Sequence, residues 1–391
     1  MYKSFGLSNS EIAFYTAWFY LPWVIKPLWS PFVDLYRSKR FWVIAMQFLL
    51  GAGLAGIAMI LAMDNYIRYS LVFFWLLAFS SATHDIAADG YYMQVLSKGQ
   101  QSFFVGIRST FYRIAMITGQ GLIVILAGKL ENIYDIKTAW QLTMGLISLI
   151  LIAVAIYHAF VLPKELPKTS LKQSPLKGYA EVFKTFFKRK HIGIYIAFIL
   201  LYRLGEAQLT KIASLFMLDD RSAGGLGFST EAVGFIYGTV GVAALVIGGI
   251  LGGILVSRHG LKYWIWWMAL AINLPDLVYI YMAWQQPEAG GLIYLLVAIE
   301  QFGYGFGFTA FMMYLIYIAE GQFKTAHYAI ATGFMAAGMM IPGMVSGWIQ
   351  ENLGYPNFFI WVMIATIPAF YVISQIPLDK DFGRLKREDN T

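Results

Sequence analysis

Long runs of apolar residues, separated by short polar loops, recur along the whole chain. A run of about twenty residues crosses a hydrocarbon core of roughly 30 Å as an α-helix. The apolar positions are continuous and do not alternate with polar ones, so they predict membrane helices and not barrel strands. Eleven spans are predicted, at 11–29, 41–63, 69–96, 102–128, 139–162, 191–218, 231–256, 263–284, 291–318, 327–350 and 357–376.

The overall composition supports an integral membrane protein. Hydrophobic residues make up 59% of the chain and charged residues 13%, and the mean hydropathy is +0.60. These values lie outside the range of soluble globular domains. The net charge of +7 does not indicate nucleic-acid binding, because the basic residues cluster in a few loops beside apolar spans. The absence of cysteine excludes disulfides and thiolate metal sites.

The distribution of basic residues predicts the orientation and the domains. Segment 163–190 holds eight Lys or Arg and two Glu, which is typical of a cytoplasmic loop. Alternation of the loops then places residue 1 outside. We predict an amino-terminal bundle of five helices at 1–162, a cytoplasmic basic linker at 163–190, a carboxy-terminal bundle of six helices at 191–376 and a cytoplasmic tail at 377–391.

An internal repeat relates the two predicted bundles. GLSNSEIAF at 6–14 matches GFSTEAVGF at 227–235, and residues 31–44 match residues 253–266. Both matches have the same orientation, so they indicate a parallel repeat, as in many transporters. The counterpart of span 191–218 is missing from the first half and is expected upstream of Met1. The pattern is therefore one of twelve helices from which the first is missing, through a late start or truncation of the given sequence or through a real shortening of the first half.

Ionisable residues at membrane depth are functional candidates, because they cost several kcal/mol unless paired or hydrated. Asp85 and Asp89 share one helix face, and Arg113 on the next span lies level with Asp85. We interpret these three as a proton-coupling site. The alternatives are a static ion pair, or a latch of Asp89 to the basic loop. That loop is expected to form a cytoplasmic gate through Asp34, Arg37 and Arg40.

A second charged group lies in the carboxy-terminal half. Arg203 and Glu300 are predicted to pair across the central cavity, with Glu206 beside them and Asp276 nearby. This group is predicted to bind amine or carboxylate groups of a substrate or to carry a proton; the alternative is a static bridge between helices. Aromatic residues near the charged groups are candidates to stack on sugar rings, among them Tyr92 and Tyr202.

Six stretches of the chain carry a resemblance to a known family. They are KPLWSPFVDLY at 26–36, SSATHDIAADGYYMQVL at 80–96, FYRIAM at 111–116, LYRLGEA at 201–207, EQFGYGFGFTAFMMYL at 300–315 and the stretch at 326–355. In this order they resemble the major facilitator superfamily, and more narrowly the AmpG-type muropeptide permeases, over about residues 6 to 375. The resemblance implies import of anhydromuropeptides or related N-acetylglucosamine-containing wall fragments across a bacterial inner membrane.

The residues themselves predict a secondary active transporter, in which two bundles rock about a central charged cavity. A nucleotide-binding motif is absent, so ATP is not the expected driver, and buried carboxylates favour H⁺ over Na⁺. We expect a monomer that binds a small polar solute, with no cofactor and no nucleic acid. The alternatives are a same-fold carrier of a sugar acid, small peptide or siderophore, and a polytopic membrane enzyme. A membrane enzyme would need a nucleophile, a base or a metal cluster, and the five histidines are too scattered along the chain to supply one.

Overall fold

A computed structural model describes residues 1–35, 37–95, 111–112, 114–164, 175–288, 290–319 and 324–384. Within these ranges the regular structure is helical, which confirms the predicted all-α class. The helices are α1 (Asn9–Trp18), α2 (Leu21–Leu35), α3 (Lys39–Ile60), α4 (Tyr66–Val95), α5 (Ile114–Glu131), α6 (Ile136–Val161), α7 (Pro175–Phe187), α8 (Ile192–Leu218), α9 (Thr230–His259), α10 (Leu261–Gln285), α11 (Gly290–Ala319), α12 (Lys324–Ala365) and α13 (Ile367–Gln375).

Nine helical segments in the described part are long and apolar enough to cross a membrane. The last of them, Ala326–Gln375, contains Gly354 at φ 72°, in the left-handed region that favours glycine. The chain turns back there, since Tyr355 packs against Phe216 of α8 and Val362 lies near the preceding part of α8, beside Gly205. This segment therefore contains both predicted spans 327–350 and 357–376.

The sequence predicted one continuous span at 11–29, whereas the structure has two helices there, α1 and α2. Pro22 has no amide hydrogen, and its ring would clash with the carbonyl of Trp18, four residues earlier. Helix α1 ends at Trp18. The first part of predicted span 102–128 lies outside the described residues.

The helices pack in two groups. In the first, α3 lies between α4 and α6, where Gly53 faces α4 and Gly51 faces α6. In the second, α11 lies between α9 and α10, where Gly305 faces α9 and Gly303 faces α10. Small residues let the helix backbones approach closely. The division of the chain into the two predicted bundles, with their bounds, stays a prediction.

Two helix pairs join the groups. Helix α1 packs along α12, where a Cβ at Gly347 would lie 2.3 Å from the carbonyl oxygen of Asn9. Helix α5 packs on α9, where π-helical turns at Ile117–Leu122 and Ile236–Gly241 face each other. At this point a Cβ on Gly238 would lie 2.0 Å from the Cα of Gly121.

The internal repeat has the same local structure in both copies. Gly6 and Gly227 both have positive φ, at 82° and 69°. Two residues later, Ser8 and Ser229 each accept a backbone N–H as the N-cap of the following helix. Such a cap stabilises a helix by about 1 kcal/mol. The sequence match therefore marks equivalent helix starts, at α1 and α9.

Candidate functional site

A cavity of about 730 Å³ lies between the two groups of helices. Its wall includes residues from the turn between α1 and α2 and from α2, α4, α8, α11 and α12, so both groups contribute to it. We call it the charged cavity, because two cations and two carboxylates line it: Lys26, Arg203, Asp85 and Asp89. Six aromatic residues also line it: Phe19, Tyr20, Trp23, Tyr112, Tyr304 and Tyr328.

Lys26 and Asp85 form an ion pair across α2 and α4. The Lys26 ammonium donates to Oδ2 of Asp85 at 2.7 Å, and the two side chains are 18% and 41% exposed. Sequence reasoning missed Lys26, although a single cation in the apolar run WVIKPLW was a usable signal. Arg113, the predicted partner of Asp85, lies outside the described residues, so that pairing stays a prediction.

Two residues of the predicted cytoplasmic gate, Arg37 and Arg40, have contacts in the described part of the chain. Arg40 donates to the carbonyl of Leu162 at 2.9 Å and to that of Ala159, so it binds carbonyls at the end of α6. Arg37, at φ 61°, lies with its guanidinium 5.6 Å from the ring centre of Phe41. The side chain of Asp34 lies outside the described part. The gate role of these three residues stays a prediction.

Arg203 does not form the predicted ion pair with Glu300 within the described residues. Its guanidinium instead donates to the hydroxyl of Tyr304 and lies 4.8 Å from the ring centre of Phe308. Arg203 has φ −116° and ψ 23°, outside helical values, where α8 is interrupted between Leu201 and Leu204. A guanidinium stacks well on aromatic faces because it is planar and weakly hydrated.

Glu206, Asp276 and Glu300 form a buried carboxyl cluster. One oxygen from each lies within 4.8 Å of one from each of the others. Tyr279 donates to Glu300 at 3.2 Å, and the side-chain amide of Gln301 donates to it at 3.0 Å. All four oxygens of Glu206 and Asp276 lack a hydrogen-bond partner among the described residues. The predicted grouping of these acids is therefore observed, without Arg203 bridging to Glu300.

A second cavity, of about 580 Å³, lies beside this cluster. Glu300, Gln301 and Tyr279 line it, whereas Glu206 and Asp276 are buried behind that wall. This cavity adjoins the charged cavity, because both are lined by Tyr20, Tyr304 and Met339. The positions of Glu206 and Asp276 do not favour the direct substrate contact predicted for them.

Tyr202 and Tyr92 do not have the position expected of sugar-stacking residues. Tyr202 is 1% exposed, donates to the carbonyl of Gly307 at 3.0 Å and stacks on Phe311. It is a core residue because α8 turns that face towards α11. Tyr92 is half-buried near the end of α4 and is not among the described residues that line either cavity.

The sequence model of the Major Facilitator Superfamily matches residues 1–347. The chain belongs to this superfamily. It is similar to the putative transporter AmpG 4 of Rickettsia conorii, with 25% identity over 370 residues, 90% of this chain and 85% of that protein. It is also similar to the anhydromuropeptide permease of Escherichia coli, with 25% identity over 359 residues, 90% of this chain and 70% of that protein.

Solved structures support the same superfamily fold. A D-xylose–proton symporter has a TM-score of 0.74 at 13% identity, and the match covers 97% of this chain and 90% of the symporter. The nucleoside transporter NupG has a TM-score of 0.69 at 15% identity, covering 95% and 92%. This major facilitator protein is therefore a multi-pass membrane transporter of a small molecule and not an enzyme, as predicted.

Proposed function

We propose that the protein is a proton-coupled importer of muropeptide-like cell-wall fragments in a bacterial inner membrane. The observation that carries the proposal is the charged cavity, which lies between two groups of helices and contains an ion pair at membrane depth. The names of its relatives, which include an anhydromuropeptide permease, favour this substrate class.

The chemistry of the cavity wall fits such a solute. A fragment of N-acetylglucosamine, anhydromuramic acid and peptide presents sugar faces together with peptide carboxylates. Arg203 lines the cavity, and a guanidinium is a strong donor to a carboxylate. Trp23, Tyr20 and Tyr112 offer aromatic faces on the same wall. Lys26 adds a second cation.

Asp85 is the proposed proton carrier, with Asp89 and Arg113 assigned to the same coupling site. In the ion pair Asp85 is ionised and neutralises Lys26. Protonation of Asp85 would release the ammonium of Lys26 to an anionic group of the solute. A proton and the solute would then favour each other in the same conformation, which is the thermodynamic requirement for symport.

Uptake into proteoliposomes tests this function. The purified protein is reconstituted, a pH gradient is imposed, and accumulation of a radiolabelled N-acetylglucosamine–anhydromuramyl peptide is measured. We expect accumulation that requires the gradient and that collapses with a protonophore. Accumulation of a sugar acid or a free peptide in preference to the labelled fragment would contradict the proposed substrate. Uptake driven equally well without a proton gradient would contradict the coupling.

A further inference from the structure

Two helix irregularities lie beside the buried carboxyl cluster. Glu206 lies in the first turn of α8 after its interruption at Arg203. Asp276 lies in a 3₁₀ turn at Leu274–Asp276, where Pro275 interrupts α10. Glu300 lies on α11, one turn before Gly303, which contacts the carbonyl of Ala271. Broken helices with inward-facing polar groups are the usual construction of ion sites in transporters.

No salt bridge neutralises the cluster in the described part of the chain, although the charge of Arg203 acts on Glu206 at longer range. Glu206 and Asp276 are 0% and 1% exposed, and none of their four carboxyl oxygens has a hydrogen-bond partner there. Arg203, a nearby cation in sequence, places its guanidinium against Tyr304 instead. Burying unpaired carboxylates is strongly unfavourable, so the cluster must be neutralised, either by protons or by a bound cation.

We propose that Glu206, Asp276 and Glu300 bind a small hard cation through oxygen ligands. Because one oxygen from each residue lies within 4.8 Å of the others, a cation centred among them is within about 2.8 Å of all three with little movement. Carboxylate oxygen is the ligand that hard cations such as Ca²⁺ take, and Na⁺ sites in transporters likewise use oxygen. This site is distinct from the Asp85 coupling site.

The second cavity provides access to the site. Glu300 lines that cavity, and its carboxylate is held by Tyr279 at 3.2 Å and by Gln301 at 3.0 Å. Glu206 and Asp276 lie behind it, away from the cavity wall. An ion entering from the cavity would meet Glu300 first. The two unpartnered carboxyls would then replace the remaining water ligands.

Direct ion binding to the purified full-length protein, without solute or gradient, tests the site. Equilibrium dialysis in choline buffer, run with ²²Na⁺ and then with ⁴⁵Ca²⁺, shows which of the two ions binds. We expect one bound ion per chain for one of them, and a rise in Tm of about 1–2 °C at a concentration roughly tenfold above Kd. Asp276→Asn and Glu206→Gln should each weaken binding at least about tenfold.

Glu288→Gln is the matched control, because it removes an exposed carboxylate from the same half without touching the cluster. It should bind the ion as the wild type does. If neither ion binds the wild-type protein and its Tm depends on pH alone, protons neutralise the cluster and the inference is wrong. Ion binding by the wild-type protein tests the inference even if a variant does not fold. Because this measurement involves no transport, it does not depend on the proposed function.

Discussion

The pair Lys26–Asp85 allows the two roles of an intramembrane ion pair to be separated. Asp85→Asn leaves a cation without its 2.7 Å partner in the charged cavity. Because Asn cannot release a proton, we expect the variant to lose gradient-driven accumulation while it still exchanges solute across the membrane. Proteoliposome uptake and counterflow measure the two activities.

A charge exchange is the control for this prediction. Lys26→Asp combined with Asp85→Lys restores opposite charges across α2 and α4 but moves the titrating carboxyl to the other helix. If the pair is a static bridge, the exchanged protein should regain full gradient-driven uptake. Full uptake by Asp85→Asn alone would remove Asp85 from the coupling mechanism.

Arg203 provides a second prediction, because its planar guanidinium contacts aromatic rings on α11. It lies 5.2 Å from the ring centre of Tyr304 and 4.8 Å from that of Phe308. Arg203→Lys keeps the charge but loses the planar fork that binds a carboxylate. We expect KM for an anionic solute to rise about tenfold, which corresponds to about 1.4 kcal/mol.

Arg221→Lys is the matched control for Arg203→Lys. Arg221 donates to the carbonyls of Gln286 and Pro287, outside both cavities. Its replacement should leave KM unchanged. An equal rise of KM in both variants, or no rise in Arg203→Lys, would show that Arg203 does not bind the solute.

The sequence predicted which residues are charged at depth, but not how they pair. Asp85, Arg203 and Glu300 were identified because charge in an apolar helix is rare. Partner choice depends on helix rotation, and the interruption of α8 at Arg203 changes that rotation. Depth counting assumes continuous helices, so it paired Arg203 with Glu300 although the guanidinium faces Tyr304.

At the scale of helices, hydropathy predicted the nine described segments that are long enough to cross a membrane, and local chemistry decided the irregularities. Pro22 divides the first span, Pro275 interrupts α10, and Gly354 separates the two spans of the last segment. Proline and glycine positions are visible in the sequence. The π-helical turns in α5 and α9 were not predictable, because glycine runs are common in membrane helices.

The contact of these π-helical turns carries a prediction for α5 and α9. A Cβ at Gly238 would lie 2.0 Å from the Cα of Gly121, so backbone must move. We expect Gly238→Ala to lower the free energy of unfolding of this conformation by about 1–3 kcal/mol. Thermal unfolding of the purified protein measures the effect.

Gly253→Ala on the same helix is the control, because a Cβ there meets no atom within 4 Å. It should leave Tm unchanged or raise it slightly, since Ala favours the helix over Gly. Equal Tm values for Gly238→Ala and the wild type would mean that α5 and α9 separate without cost.

At the scale of the whole molecule, the start of α1, the end of α8 and the turn at Gly354 in α12 meet in a polar network centred on Asn9. Its amide lies 2.7 Å from Gln350, 2.8 Å from Tyr355 and 3.0 Å from Asp219. Lys3 also pairs with Asp219. The network joins the two groups of helices, and the predicted orientation places it on the outer side. We infer that it holds the outer side closed.

Removal of this network should open the outer side. Asn9→Ala loses the contacts to Gln350, Tyr355 and Asp219, and each net hydrogen bond stabilises the closed state by about 1 kcal/mol. Because the chain has no cysteine, Ser214→Cys introduces a single thiol on the wall of the second cavity. Labelling of this thiol by an impermeant maleimide, added outside, reports the open population.

We expect Asn9→Ala to accelerate this labelling about tenfold, since a shift of about 1.4 kcal/mol changes the open population tenfold. Asn352→Ala is the control, because Asn352 is exposed near the same end and donates only within α12, to Trp348. It should label at the parent rate. Equal rates for Asn9→Ala and Asn352→Ala would mean that the network does not bias the closed state. Faster labelling from the opposite side would instead reverse the orientation predicted from the basic loops, because the same network would then close the cytoplasmic side.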